Sequence, residues 1–62
     1  MPFKENDYVK VIDQEIYGKV LFVHADTNEI VIEDFNSEYP EPDNQLIYRP
    51  SDLKKWKGVN HD

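Results

Sequence analysis

Apolar and polar residues alternate in short segments of the chain, with the two-residue period of half-buried β-strands. Residues 8–12 place two valines on one face and Tyr8, Lys10 and Ile12 on the other. Residues 17–24 and 29–35 are rich in β-branched and aromatic side chains, which favour strands. Residues 26–28, Asp-Thr-Asn, separate these two segments with a sequence suited to a tight turn. The pattern therefore predicts an antiparallel hairpin preceded by one further strand.

The second half of the chain predicts a loop, a short strand and one helical turn before a last strand. Residues 36–44 form the loop, because the prolines in this segment cannot donate to a sheet ladder. Residues 45–49 predict a fourth strand, and the Pro-Ser-Asp-Leu segment at 50–53 predicts a single 3₁₀ turn. Residues 54–57 either form a fifth strand, which we favour, or continue the helical turn. Residues 58–62 are expected to be a frayed tail.

Length and composition fit one small all-β domain. The chain has 62 residues, of which 39% are hydrophobic. Five short strands in so short a chain must hide their edges, so we predict a single five-stranded small antiparallel barrel. The chain has no cysteine, which suits a reducing cytoplasm and predicts neither a disulfide nor a thiolate metal site. Its longest apolar run, Val20–Val23, predicts no membrane span, and no secretory leader pattern is visible.

The same alternation predicts which side chains form the core. Alternate positions of the predicted strands supply one apolar face, and a leucine follows the helical turn. The predicted core residues are Val9, Val11, Val20, Phe22, Ile30, Ile32, Leu46 and Leu53. The second strand is apolar at four consecutive positions, so its register is open by one residue. The alternative register exchanges Val20 and Phe22 for Leu21 and Val23.

Three short motifs follow one another along the chain. Asn6–Val11 is an acidic turn leading into a hydrophobic strand, and Tyr17–Val23 contains the pattern Gly-x-Val-x-x-Val. Tyr48–Leu53 combines a strand, a short 3₁₀ turn and a leucine. Together they resemble an SH3-like small barrel of the bacterial KOW/Tudor-like type. Such barrels bind peptides, nucleic acid or modified side chains and are rarely enzymes, so the resemblance implies a binding module. The chain departs from RNA-binding KOW domains by being acidic, and from proline-binding SH3 domains by its short first loop.

Charge is distributed unevenly along the sequence. The formal net charge is -6, and no Lys or Arg lies between Lys19 and Arg49. The residues between those two positions include Asp26, Glu29, Glu33, Asp34, Glu38, Glu41 and Asp43. Residues 49–57 are basic instead, with four cationic side chains and one acid. The acidic stretch predicts either a merely solvated surface or a docking surface for a basic partner.

Groups for catalysis are scarce. The chain has two serines, Ser37 and Ser51, and two histidines, His24 and His61, at spacings that predict no nucleophile and base pair. Neighbouring carboxylates on a strand point to opposite faces, so they predict no acid and base dyad. The usual zinc patterns and the glycine-containing calcium loop do not occur. We therefore predict a non-enzyme without metal or cofactor.

Residue types favour protein binding, because Tyr, Trp and Arg dominate interface energetics. The candidate protein-binding residues are Tyr17, Tyr39, Tyr48, Arg49, Trp56, Glu33 and Asp34. We expect the aromatic members to lie near one another and the acidic members to favour a basic partner segment. An equally acceptable interpretation makes the Tyr39-Pro40 segment a lid over one end of the barrel. The chain is expected to be a monomer or a weak homodimer.

Nucleic-acid binding is the main alternative. Its candidate cations are Lys19, Arg49, Lys54, Lys55 and Lys57. Bases would stack on aromatic side chains chosen from Tyr17, Phe35, Tyr48 and Trp56. Net negative charge weakens this alternative, because affinity depends on neutralising phosphates. A further alternative is a phosphate mimic, in which Glu33 and Asp34 occupy a nucleic-acid site on another protein.

Overall fold

The computed structural model describes residues 2–56 of the chain and confirms an all-β fold. The strands are β1 (Tyr8–Val11), β2 (Tyr17–His24), β3 (Glu29–Asp34), β4 (Gln45–Tyr48) and β5 (Leu53–Lys55), with one 3₁₀ turn, η1 (Pro50–Asp52), before β5. The predicted segments are thus present, with ends that differ by at most two residues. The predicted tail at 58–62 lies outside the described residues. Within residues 2–56, no helix is long and apolar enough to cross a membrane.

The five strands form a single antiparallel sheet in the order β4-β3-β2-β1-β5. Strands β1 to β4 are sequential neighbours, whereas β5 returns to pair with β1 through Val11 and Leu53. Within the described part of the chain, β4 and β5 do not pair with each other, so the sheet stays open at both edges. The predicted closure into a barrel is therefore corrected to an open sheet, because β4 and β5 are short and each pairs on one side only.

The predicted hairpin of β2 and β3 is confirmed, with His24 and Glu29 as its last pair. Asn28 closes the turn at a φ of 61°, the left-handed conformation that asparagine tolerates. The predicted 3₁₀ turn is also confirmed, with proline at its start and the Leu53 N–H donating to the Pro50 carbonyl at its end. These are the features for which the sequence carries a local signal.

A β-bulge in β2 corrects the predicted core. Val20 pairs with Ile32, but the next pair joins Phe22 to Val31, so Leu21 is the extra residue. Each of the two registers considered from sequence is therefore right for half of the strand. Val20 and Val23 face the core, and Phe22 faces outward with 55% of its surface exposed. A bulge bends its strand and increases the local twist, which helps one face of the sheet curve around a core.

The bulge has a direct mutational consequence. We expect Phe22→Ala to change the free energy of unfolding by about 1 kcal/mol or less, because the ring is largely solvated. Val23→Ala should cost roughly 1–2 kcal/mol although it removes fewer atoms, because this side chain packs against the core. Chemical denaturation of both variants checks the order. A larger loss for the Phe22 variant would mean that regular alternation continues through residue 22.

All five strands contribute to one core. The buried core residues are Phe3, Val9, Val11, Val20, Ile30, Ile32 and Leu53. Leu46 and Tyr48 of β4 are partly buried against them, so the predicted core position of Leu46 is only half enclosed. Phe3 was not predicted, because a single apolar residue among polar neighbours has no period. The outer strands β4 and β5 add side chains to the same cluster, as expected of a curved sheet.

Gly18 permits a close approach between β2 and β3. It is buried, and a Cβ atom at this position would overlap the carbonyl oxygen of Glu33 and lie 3.3 Å from the Ile32 Cδ1 atom. A glycine inside a strand is typical of either a bulge or a site of close approach. The structure shows close approach here and places the bulge three residues later.

Candidate functional site

Two aromatic side chains that are far apart in the sequence meet on the outward face of the sheet. Tyr17 at the start of β2 and Trp56 just after β5 have ring centroids 4.4 Å apart, with a tilt of 44° between planes. Trp56 is held there because its backbone N–H donates to the Tyr8 carbonyl. This hydrogen bond continues the β1–β5 ladder by one residue. The two rings are half-buried, so part of each aromatic surface remains open to a ligand.

Lysine side chains surround this aromatic pair. Lys10 of β1 lies opposite both Tyr17 and Lys54, which places the three residues on one face of the sheet. The Lys10 ammonium is 5.7 Å from the centre of the Tyr17 ring. Lys54 is exposed and forms no ion pair with an acidic group among residues 2–56. We call Tyr8, Lys10, Tyr17, Lys54 and Trp56 the aromatic–lysine face.

The first loop, residues 12–16 between β1 and β2, fixes the orientation of this face. The Lys10 ammonium donates to the carbonyl oxygens of Val11 at 3.2 Å and Gln14 at 2.7 Å. The Tyr17 hydroxyl donates to the Glu15 carboxylate at 3.1 Å. This hydrogen bond, with desolvation and the Glu15 charge, raises the pKa of Tyr17 because all three favour the neutral phenol. The loop thus occupies the Lys10 ammonium and leaves Lys54 as the more available cation.

A second aromatic contact extends the face toward β3. Tyr8 and Phe35 have ring centroids 5.9 Å apart, and both side chains are exposed. Lys19 lies beside Tyr8 on β2, where its Cα also pairs with that of Glu33 on β3. The outward surface of β1, β2 and β5 therefore alternates aromatic rings with cations. Tyr8 and Lys10 were not among the predicted site residues, although their outward position follows from strand alternation.

Several acidic residues lie elsewhere, around the long loop between β3 and β4. Three of them, with five uncharged residues, line an open cavity of about 400 Å³, which we call the acidic cavity. Its lining residues are Asp34, Asn36, Ser37, Glu38, Tyr39, Asp43, Asn44 and Leu46. The Asp34 carboxylate accepts the Asn36 N–H at 2.9 Å, and the buried Asn44 Oδ1 has no hydrogen-bond partner among residues 2–56. A basic partner segment, as predicted from the charge pattern, would find its complementary charge here.

The structure separates the predicted protein-binding residues into groups. Tyr17 and Trp56 meet, whereas Tyr48 faces inward against the core and so lies on the opposite face of the sheet. Tyr39 is 68% exposed at the acidic cavity, where it lines a wall. Arg49 is exposed and directly precedes η1. The predicted gathering of all the aromatic members into one cluster is corrected, because alternation on β4 turns Tyr48 toward the core.

The predicted carboxylate and cation positions are also distributed over several surfaces. Glu33 lies on the outward face and Asp34 at the acidic cavity, so the two do not present adjacent carboxylates to one ligand. The Lys55 ammonium lies 3.7 Å from the Asp7 carboxylate. Lys19 and Lys54 share the outward face with the aromatic pair. Lys57 lies outside the described residues.

Residues 2–56 contain no group of three or more His, Cys, Asp or Glu side chains placed to hold a metal ion. His24 lies at the exposed end of β2 with its ring 6.2 Å from that of Phe22. The Ser37 hydroxyl accepts the Tyr39 N–H within the long loop, which is a local turn contact. Comparison with known proteins finds no matching family model, no matching curated protein and no matching solved structure.

Proposed function

We propose that this chain is a non-catalytic protein-binding module that uses the aromatic–lysine face as its main contact surface. The observation that carries the proposal is the stack of Tyr17 and Trp56, two residues distant in sequence that share an outward surface. Half-exposed aromatic rings held by a rigid sheet lose little conformational entropy on binding, so they suit interface anchors. The first loop and the β1–β5 ladder hold both rings in place without a ligand.

The charges around the stack indicate the chemistry of the partner. Lys54 is exposed beside the two rings, and Lys19 lies across β1 on the same face. An acidic partner segment that also offers an apolar or aromatic side chain complements this surface. The acidic cavity carries the opposite charge and would suit a basic segment of the same or another partner. A cysteine-free chain fits a reducing compartment, so we place this function in the cytoplasm.

An affinity capture from the source organism tests the proposal with three forms of the chain. The wild type should retain a protein after nuclease treatment, and Trp56→Ala should lose it, with a dissociation constant weakened by about thirtyfold or more, as for an interface hot spot. Phe22→Ala is the matched control, because it removes an exposed aromatic ring from another part of the outward surface. Melting curves establish that both variants fold.

Three results would contradict the proposal. Equal retention of the partner by wild type and Trp56→Ala would show that the stack is a structural contact between β2 and the end of β5. Loss of the partner in both the Trp56 and Phe22 variants, with folding intact, would show that contact extends across the outward surface and is not centred on the stack. Loss of the captured protein on nuclease treatment would favour the second candidate function, described below.

Single-stranded nucleic acid is the second candidate, favoured by one observation. The structure brings Lys10, Lys19 and Lys54 to the same face as the stacked rings, an arrangement that suits bases on aromatic planes with cations along the backbone. The chain has one tryptophan, so titration with a single-stranded oligonucleotide can be followed by Trp56 fluorescence. Quenching that weakens with added salt and with Lys54→Glu supports this candidate. Unchanged fluorescence at low salt excludes it.

A further inference from the structure

The two edges of the sheet differ in chemistry. β5 has three residues, and two of them are the exposed lysines Lys54 and Lys55, which protect an edge from pairing with another strand. β4 has four residues and none is charged. An open, uncharged edge strand is a template for adding a further strand. The β4 edge is therefore the place where this sheet can extend.

Backbone hydrogen bonds show which groups of β4 are available. The Asp34 N–H donates to the Asn44 carbonyl, so Asn44 directs its backbone groups toward β3. In an antiparallel ladder these directions alternate, so Gln45 and Ile47 direct theirs to the open edge. The Gln45 N–H is occupied by the Pro42 carbonyl at 3.2 Å. Among residues 2–56, the Ile47 N–H thus remains a free donor, and the Gln45 and Ile47 carbonyls remain free acceptors.

An apolar row on the outward face reaches the same edge. Phe22, Val31 and Ile47 are neighbours across β2, β3 and β4. Val31 in the middle is only 8% exposed, whereas Ile47 at the edge is 62% exposed. On the inner face, Leu46 is only partly buried because it also lies on the edge strand. A strand added to β4 would cover both of these side chains.

The charges that flank β4 identify the occupant. Asp43 precedes the strand and Arg49 follows it, so the segment is acidic at one end and basic at the other. Two such segments in antiparallel orientation place unlike charges together at both ends. No foreign strand is needed to satisfy this arrangement.

We propose that two copies of this chain form a symmetric dimer through their β4 edges. The two-fold axis passes between the Leu46 residues, so the Ile47 N–H of each copy donates to the Gln45 carbonyl of the other. Arg49 of one copy then lies beside Asp43 of the other. The register shifted by two residues, with Ile47 opposite itself, places Arg49 opposite the uncharged Gln45 and loses the charge pairing. One short strand per copy is a small interface, so the dimer is weak and depends on concentration.

Analytical ultracentrifugation over a protein concentration range reaching millimolar tests the dimer. Wild type should approach twice the monomer mass as concentration rises. Arg49→Asp and Asp43→Arg should each weaken the dimer by about tenfold, because two attractive contacts become repulsive. The variant with both changes should recover to within about threefold of wild type. Far-ultraviolet dichroism and melting curves verify that each variant folds.

A second pair of variants tests the apolar contact. Ile47→Lys should abolish the dimer, because it places two ammonium groups near the axis, while leaving the fold intact at a position already exposed. Phe22→Lys is the matched control, since it adds the same charge to the same face two strands away from the edge. A wild type that is monomeric at every concentration overturns the proposal. So does a dimer that Ile47→Lys leaves unchanged, or charge-reversed singles that the combined variant does not rescue.

Discussion

Ile32→Ala should unfold most of the protein at room temperature. Ile32 is 0% exposed in the middle of β3, where it pairs with Val20 on one side and Leu46 on the other. Replacing a buried isoleucine with alanine costs about 2–5 kcal/mol, because the cavity left behind closes only in part. A single core in a domain of this size rarely supplies more than about 3–5 kcal/mol. The loss therefore approaches the whole stability of the domain.

Thermal and urea denaturation, followed by dichroism at low protein concentration, measure this effect. Ile47→Ala is the matched control, because it makes the same chemical change on the neighbouring strand at a position that is 62% exposed. We expect the control to stay within about 1 kcal/mol of wild type. Comparable losses of unfolding free energy in the two variants would show that Ile32 and Ile47 do not lie on a buried and an exposed face of the sheet.

Gly18→Ala should destabilise the protein, against the usual preference of strands for alanine over glycine. With no other constraint, this substitution stabilises a chain by about 0.4–1 kcal/mol, because the unfolded state becomes less flexible. At Gly18, however, the new methyl group would overlap the Glu33 carbonyl oxygen, a backbone atom that cannot rotate away. Forcing β2 and β3 apart costs about 1–3 kcal/mol or more. The overlap therefore decides the sign of the change.

The measurement is again the free energy of unfolding, with Lys19→Ala as the control in the adjacent position of β2. Lys19 is half-buried on the outward face, so its truncation should change stability by about 0.5 kcal/mol or less. A Gly18→Ala variant as stable as wild type, or more stable, would show that the two strands do not approach closely at this position. Gly18→Val should cost more than Gly18→Ala, because it adds two methyl groups to the same overlap.

The sequence located every strand because each has a local signal. The turn at Asp26–Asn28 combines residues that open a turn with one that tolerates positive φ, and β2 and β3 pair around it as predicted. The 3₁₀ turn followed from Pro50 in the first position. Strand β5 carried a weaker signal, since its three residues include two lysines, and its ends differ most from the prediction.

The bulge at Leu21 had no local signal. Residues 20–23 are all apolar, so regular alternation and an inserted residue are equally compatible with the sequence. The insertion follows from the neighbours of β2. The Asn6 N–H donates to the Val20 carbonyl and the Val20 N–H donates to the Asp7 carbonyl, so the chain leading into β1 meets β2 at Val20. At Asn6 this chain adopts a left-handed conformation, with a φ of 76°. Beyond this point β2 pairs with β3 alone and is free to bend.

The candidate site divides in the same way. Residue types alone identified Tyr17 and Trp56 as binding candidates, but their contact depends on β5 returning to the far side of β1. Charge along the chain predicted either a solvated acidic surface or an acidic docking surface for a basic partner. The structure instead places the aromatic pair among lysines and puts the acidic cavity at the β3–β4 loop. Side chains close in space need not be close in sequence. The sequence alone therefore could not predict the partner chemistry of each surface.

By itself, the sequence determined the all-β class, the β2–β3 hairpin, the 3₁₀ turn and most of the core, because alternation and turn chemistry act over a few residues. The tertiary structure alone decided that the sheet stays open, that Phe22 faces outward while Phe3 is buried, and that Tyr17 stacks on Trp56. The physical reason is that these outcomes depend on the pairing of distant strands. Pairing is set by the packing of a whole face and by backbone hydrogen bonds that no short segment specifies.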